Sequence, residues 1–322
     1  MSTNVRGRFA PSPTGHLHLG SLTTAVASFC HIKSLGGQWL VRIEDVDFER
    51  CKNQYTTSIL YDLENLGLYT DQEIVYQSRR LPIYQEFLDG HLAEFVYDCT
   101  CSRKTLAAYF ATHDSTPYQA QIQHTHLNHT QDLYMPPIYP RLCLNQAKQQ
   151  TNNTKVRLVL PDVLSAFYDG ICGVIWDNPA KSLGDVVVKR QNGMINYVLA
   201  CAIDDGLQNI THVMRGLDIL PMTIAQIHII GQCQLPLPQR FYHLPLLHNH
   251  DGQKLSKQNL ATPIDTKTPK NASKLLITAL RLLGQTLPAD MLDGTPSEIL
   301  RFASNHWDNA PLRHKRSLGI AH

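Results

Sequence analysis

The chain is expected to fold as an α/β protein on a parallel sheet, interrupted by an inserted subdomain and finished by a small helical region. Three observations predict this. Strand and helix patterns alternate along the N-terminal part, a polar stretch rich in Gln, Asn, Thr and His breaks the alternation, and apolar periodicity then returns and ends in helical segments. Residues 5–10 read as a short strand that runs into the turn-rich Pro11-Ser12-Pro13-Thr14-Gly15. A helix is expected over 21–35, because Leu22, Ala25, Val26, Phe29 and Ile32 recur at helical spacing and Gly36-Gly37 stops the run. Residues 39–45 read as a second strand, with helical patterns at 48–66 and 80–95. From 98 to 154 the composition turns polar, with prolines in 134–140, so this stretch reads as an insertion whose middle, 119–132, is poorly ordered. Strand-like runs at 156–160, 173–176 and 184–189, then 197–205 and a helical 221–230, are expected to complete the sheet. A loop around Lys254 and helical segments such as 272–283 follow. The expected boundaries are 1–98 and 156–234 for the two halves of the sheet domain, 99–155 for the insertion and 235–322 for the helical region.

Composition excludes several classes. With 43% hydrophobic and only 17% charged residues, against a usual charged share of about 25%, a disordered chain is ruled out. A net charge of +2 is too balanced for a sequence-independent nucleic-acid coat, so any polynucleotide must be met locally. No apolar leader and no run of about 18 apolar residues are present, which predicts a cytoplasmic protein without membrane contact. Its eight cysteines are therefore expected as thiols. Cys30, Cys51, Cys172, Cys201 and Cys233 stand alone and read as small buried hydrophobes, whereas Cys99, Cys101 and Cys143 invite a different reading.

The loop Pro11-Ser12-Pro13-Thr14-Gly15-His16-Leu17-His18-Leu19-Gly20-Ser21 runs from a strand into a helix. At such a junction backbone N–H groups and the helix dipole hold phosphate. Glycine at 15 and 20 permits close backbone approach, and His18 is placed to donate to an α-phosphate as charge builds there during in-line displacement. Downstream, Asp251-Gly252-Gln253-Lys254-Leu255-Ser256-Lys257-Gln258 sets two lysines beside a glycine turn, suited to the β- and γ-phosphates of a nucleotide.

Taken together, the two motifs resemble those of the class I aminoacyl-tRNA synthetases, His18-Leu19-Gly20-Ser21 matching their HIGH motif and Lys254-Leu255-Ser256-Lys257-Gln258 their KMSKS motif. Arg8-Phe9-Ala10-Pro11-Ser12-Pro13-Thr14-Gly15 with Arg42-Ile43-Glu44-Asp45 is similar to the glutamyl branch. The resemblance implies a Rossmann-like catalytic domain that binds ATP through His18, Gly20, Ser21, Lys254, Ser256 and Lys257, with Mg²⁺ on the phosphates and His18 and Lys257 stabilising developing charge. A charge argument supports glutamate separately. The free amino acid carries two carboxylates and one ammonium, so a dry pocket should offer two cations and one anion, and Arg8, Arg215 and Glu44 form that set. By resemblance Arg8, Ala10, Ser12, Glu44, Tyr197 and Arg215 match amino-acid-binding positions, with Glu44 on the α-ammonium and Tyr197 and Arg215 near the side-chain carboxylate.

Only 64 residues, 259 to 322, follow Gln258, room for a small stem-contact region and no anticodon-binding domain. This is similar to the truncated branch of the family. Its members activate glutamate with ATP without needing tRNA, then esterify the cyclopentene-diol of queuosine in the anticodon of tRNA(Asp). The implied partners are ATP, L-glutamate and queuosine-containing tRNA(Asp), and a monomer is expected. Glutamylation of the 3′ end of tRNA(Glu) or tRNA(Gln), and a silent tRNA-binding paralogue, are the rival readings. The intact His18, Lys254 and Lys257 argue against the second.

Within the insertion, Cys99-Thr100-Cys101 and Tyr139-Pro140-Arg141-Leu142-Cys143 offer three thiolates and a phenol, a donor set suited to one tetrahedral structural Zn²⁺, and the pattern is similar to the family's zinc motif. The segment between Cys101 and Tyr139 is longer than expected for the family and contains His124, His126 and His129, any of which is an alternative fourth ligand to Tyr139.

Overall fold

Residues 5–113, 138–146, 154–248, 262–315 and 317–319 are described by a computed structural model. The chain opens with β1 (Arg6–Phe9), α1 (Leu19–Ser34) and β2 (Gln38–Ile43), two parallel strands joined by a helical crossover. Its next elements are α2 (Asn53–Asn65), β3 (Val75–Tyr76), α3 (Leu81–Asp89), β4 (Val96–Cys99) and α4 (Arg103–Thr112). Beyond the insertion come β5 (Lys155–Leu158), β6 (Ser165–Asp169), β7 (Gly173–Asp177), the short α5 (Pro179–Ser182), β8 (Val186–Lys189) and α6 (Tyr197–Leu207). The remainder comprises β9 (His212–Gly216), α7 (Thr223–Gln232), β10 (Arg240–Leu244), β11 (Leu246–His248), α8 (Pro269–Leu282), α9 (Pro296–Asn305) and β12 (Ser317–Gly319).

A seven-stranded sheet in the order β3-β2-β1-β9-β10-β6-β7 forms the body, parallel throughout except for the β6–β7 hairpin. Strand order reverses between β1 and β9, so the crevice beyond their carboxyl ends is the topological switch point where ligands of open α/β sheets bind. Side chains alternate faces along each strand. Phe9, Trp39, Val41, Ile43, Met214 and Leu244 turn to one side and form a core with α1, α8 and α9. On the other face Leu40, Val213 and Phe241 pack with Leu220 and Ile224, while α6 and α7 share a further apolar cluster.

Several expected elements differ. Helix α1 begins at Leu19 rather than 21, because His18 caps it. The helix expected from 48 starts only at Asn53, since residues 47–52 form a turn tied back to the first loop by Lys52 N–H donating to Pro13 O at 3.0 Å. The helix expected over 80–95 stops at Asp89, and 96–99 is a strand instead. Of the runs expected to complete the main sheet, 156–160 and 184–189 do not join it. They contribute β5 and β8 to a separate antiparallel sheet, β4-β5-β8, so hydrogen bonding of the small sheet continues past 155 to Lys189. Residues 197–205 lie in helix α6, and the parallel sheet is completed instead by β9 and β10. The reason is physical: apolar runs mark strands, but partners far apart in sequence are chosen by tertiary packing. The expectation for 119–132 lies outside the described residues.

The C-terminal helices belong to the main core. Thr268 caps α8 ahead of Pro269, and Thr295 with Glu298 forms a capping box ahead of Pro296. Leu276 and Leu280 are fully buried against the α1 side. Replacing Leu280 by alanine is therefore expected to lower unfolding free energy by about 2–5 kcal/mol. A loss below about 1 kcal/mol in chemical denaturation would show that the two helices do not share the core.

Candidate active site

The first loop crosses the switch point. His18 caps α1, its Nδ1 accepting from the N–H groups of Gly20 at 3.1 Å and Ser21 at 3.3 Å, while His18 N–H donates to Ser21 Oγ at 3.0 Å. An Nδ1 that accepts leaves the proton of the neutral ring on Nε2, which fixes that nitrogen as a donor. Pro263 forms an isolated bridge with His18, and Ile264 N–H donates to Leu17 O at 3.0 Å. The chain thus returns to His18 six residues after Lys257. Lys254, Ser256 and Lys257 themselves lie outside the described residues.

Strand register carries a row of charge across the sheet. Arg8 pairs with Leu40, Arg215 with His243 and Asp169 with Phe241, so Arg8, Arg42, Glu44, Arg215, His243 and Asp169 share one face over five neighbouring strands. Helix α6 covers that face with Tyr197, Cys201 and Asp205, spaced four apart on one stripe. Arg8 donates through Nε and Nη2 to the two oxygens of Asp205 at 2.9 and 3.1 Å. Arg42 bridges Asp205 at 2.8 Å and Glu44 at 3.1 Å. Although burial opposes ionisation, Arg8 and Arg42 hold the Asp205 carboxyl far below the ordinary carboxylate range. Burial pushes the Glu44 carboxyl up against the pull of Arg42 and Arg8.

Arg215 is wired differently. It is 5% exposed and donates to His243 Nε2 at 3.1 Å, Gln226 Oε1 at 2.6 Å, Thr223 Oγ1 at 2.6 Å and Tyr197 Oη at 3.4 Å. All four partners are neutral groups; burial holds the Tyr197 phenol well above its ordinary pKa. Among the described residues no carboxylate lies within ion-pairing distance of Arg215.

Two adjoining cavities open here. The smaller, about 400 Å³, is lined by Ala10, Ser12, Glu44 and Tyr197, with Asp47, Asn196 and Met222 among its other walls. Arg8 and Arg215 lie behind that lining rather than on it. The larger, about 1070 Å³, reaches from Arg50, Arg190, Asn196 and Met222, which it shares with the smaller, to the small sheet and Tyr139. Arg50, Arg103, Lys155, Arg157 and Arg190 line it against only Glu49 and Asp185, and Asp185 is already paired with Arg141 at 2.9 Å.

At the end of β4 the sulfurs of Cys99, Cys101 and Cys143 lie within 4.8 Å of one another. Tyr139 Oη is 3.4 Å from Cys99 Sγ and 3.3 Å from Cys101 Sγ. Gly184, whose φ of +66° favours glycine, seats Tyr139: a Cβ there would stand 2.9 Å from Tyr139 N. Arg157 donates to Cys99 Sγ at 3.3 Å and its guanidinium stacks 3.7 Å over the Tyr139 ring, so positive charge faces the thiols. Burial raises the Cys101 thiol to about 11. Hydrogen bonds from Tyr139 and from the Thr100 segment outweigh burial at Cys143 and draw it down to about 6. Three sulfurs and one oxygen converging on one point fit a tetrahedral metal. His124, His126 and His129 lie outside the described residues.

Sequence reasoning missed Asp205, Asp169 and His243. Asp205 was accessible in principle, because it follows Tyr197 at helical spacing. His243 and Asp169 carry no local signal, since only the register of β6, β10 and β9 brings them to Arg215.

The sequence model of the family "tRNA synthetases class I (E and Q), catalytic domain" matches residues 4–293. A glutamyl-Q tRNA(Asp) synthetase of Thiobacillus denitrificans is 38% identical over 95% of this chain and 94% of its own length. One from Neisseria meningitidis is 40% identical over 94% of this chain and 95% of its own. A solved glutamate tRNA ligase of Elizabethkingia meningosepticum, in complex with its amino acid, superposes with a TM-score of 0.72 at 24% identity, covering 99% of this chain and 67% of that one. At that identity it establishes the fold. Among the described residues no helix is long and apolar enough to cross a membrane.

Asp205→Ala strands two buried guanidiniums and is expected to cost about 3–5 kcal/mol of stability at pH 7. Because the folded-state pKa of Asp205 is depressed, its contribution is full above the unfolded carboxylate value of about 4 and is lost as pH falls below it. Denaturation followed from pH 7 downward should show a shallower acid-side loss in the variant. An unchanged slope would remove Asp205 from that role.

Proposed function

Given that the chain belongs to the class I glutamyl- and glutaminyl-tRNA synthetase family through its catalytic domain, we propose that it activates glutamate with ATP, independently of tRNA, and transfers it to queuosine in the anticodon of tRNA(Asp). The observation that carries the amino-acid half is Arg215, a buried guanidinium whose hydrogen-bond partners are all neutral. Burying a cation without a direct counter-charge is costly, and a substrate carboxylate offsets that cost. Arg8 and Arg42 are answered directly by Glu44 and Asp205, whereas Arg215 meets no carboxylate directly, Asp169 standing behind His243. In this reading Arg215 and Tyr197 take the side-chain carboxylate, Glu44 the α-ammonium, and Ala10 and Ser12 the backbone side of the amino acid. Arg8 contributes its field and the second N–H of Nη1, whose first reaches Met214 O at 3.5 Å.

The nucleotide belongs at the switch point, on Gly20, Ser21 and His18, with Lys254, Ser256 and Lys257 over the phosphates and Mg²⁺ accompanying ATP. One α-carboxylate oxygen attacks the α-phosphorus in line and pyrophosphate leaves. The Nε2 proton of His18 and the ammonium of Lys257 stabilise the charge that develops. A hydroxyl of the cyclopentene-diol then attacks the acyl carbon, forming the ester and releasing AMP. The excess of cations around the larger cavity suits the phosphates of an incoming anticodon loop, and the relatives named for glutamyl-Q and tRNA(Asp) support that choice of acceptor.

Zinc fits the cluster of Cys99, Cys101, Tyr139 and Cys143. Bound there, it would supply structural cross-linking of the small sheet rather than chemistry. Arg157 offsets the thiolate charge from beside it.

The unaltered protein should catalyse glutamate-dependent ATP–pyrophosphate exchange without tRNA, and Arg215→Ala should lower kcat/KM for glutamate by at least about 100-fold. Mass spectrometry of tRNA(Asp) fragments after incubation with glutamate and ATP should place the added mass on the queuosine nucleotide. Attachment at the 3′ end, or on tRNA lacking queuosine, contradicts the proposal. Metal analysis of untagged protein should find about one equivalent of zinc that Cys143→Ala removes, and less than about 0.2 equivalents in the unaltered protein would contradict the metal site.

A further inference from the structure

Arg8 and Arg215 stand on neighbouring strands of one sheet face but are held in opposite ways. The fork of Arg8 already grips a carboxylate, since Nε and Nη2 meet both oxygens of Asp205. Arg215 is gripped by its Nε edge, which donates to His243 Nε2 at 3.1 Å. That nitrogen must therefore present a lone pair, and the hydroxyl of Thr223, 3.0 Å from it, can turn its proton to suit. The ring's proton then sits on Nδ1, and Asp169 Oδ2 is 2.7 Å away to receive it. Asp169 is itself fixed by backbone N–H donation from Ile171 at 2.9 Å, Cys172 at 2.8 Å and His243 at 3.1 Å. His243 and Asp169 are both fully buried, and neither lines either cavity.

We propose that His243, oriented by Asp169, is a positioning residue that sets the specificity of the amino-acid site. As a neutral relay it anchors Arg215 through Nε without bringing a protein carboxylate into contact, so the Nη groups, which donate to the neutral Gln226, Tyr197 and Thr223, meet no protein anion that would compete with a substrate carboxylate. The other tautomer, or an imidazolium, would set two donors against each other and turn the guanidinium. Gln226, 4% exposed and bonded to Arg215 through Oε1, has a buried Nε2 without a hydrogen bond to the described residues, a further donor in the shell around Arg215. A site assembled from donors accepts a carboxylate and rejects an amide, whose NH₂ meets them donor to donor. Discrimination of glutamate from glutamine therefore depends on Arg215 not turning. This inference rests on the glutamate reading of Arg215 given above.

The test is ATP–pyrophosphate exchange by the full chain with glutamate and with glutamine as substrates. In His243→Leu and Asp169→Asn the KM for glutamate should rise about tenfold or more while the KM for ATP stays within about twofold, and the preference for glutamate over glutamine should fall about tenfold. His243→Gln, whose carbonyl can still accept from Arg215, should recover most of both. A glutamate KM and preference that do not move, or an ATP KM that moves by the same factor, overturns the positioning role. Should the Leu variant fail to fold, the polar pair decides: His243→Gln near the unaltered enzyme and the shorter His243→Asn impaired, with equal glutamate KM values overturning the proposal. Absence of glutamate-dependent exchange in the unaltered protein removes the underlying reading and this role with it. Normal exchange with unmoved variants removes this role alone.

Discussion

Three guanidiniums buried side by side on one face of a parallel sheet constrain the elements around them. Arg8, Arg42 and Arg215 stand on the adjacent strands β1, β2 and β9, each 5% exposed or less. Unpaired buried cations would cost several kcal/mol each. Helix α6 must therefore lie where Asp205 bridges two of them, and β2 must continue far enough to bring Glu44 to Arg42. The third is left to His243, Thr223, Gln226 and Tyr197, contributed by β10, α7 and α6. Packing of these helices over the sheet and the electrostatics of the pocket are thus one arrangement, with opposite effects on its two carboxyls: Asp205 is held down by two cations and Glu44 is raised by burial.

The same topology aligns the proposed steps of the reaction. The reversal of strand order between β1 and β9 opens the crevice in which the His18 loop sits, and the capping of α1 through Nδ1 directs the donor nitrogen of the neutral ring outward from the helix. The smaller cavity shares Arg50, Arg190, Asn196 and Met222 with the larger. In the proposed sequence, an activated amino acid formed in one is reached by a nucleophile entering through the other.

Much of this was legible in the residues themselves. The strand–loop–helix opening was readable from apolar spacing at Leu22, Ala25, Val26, Phe29 and Ile32, and the cysteine set from its C-x-C and Y-x-x-x-C spacing. Arg8, Arg215 and Glu44 are gathered at one sheet face as expected, joined there by the unforeseen Arg42, Asp205 and Asp169. What could not be read was pairing between distant segments. The runs at 156–160 and 184–189 have the composition of strands, yet they build the small sheet, and the more mixed β9 and β10 take the central places. His243 and Asp169 belong to the same category, since their relation to Arg215 exists only in the register of three strands.

The central claim is that Arg215 is kept clear of protein carboxylates so that it can meet one from the substrate. The most direct measurement is a crystal structure with glutamate bound. The account predicts the side-chain carboxylate within about 2.7–2.9 Å of the Arg215 Nη groups, with His243 and Asp169 unmoved and Asp205 still on Arg8. A glutamate whose side-chain carboxylate lies away from Arg215, with the Nη groups still on Gln226, Thr223 and Tyr197 alone, would contradict it.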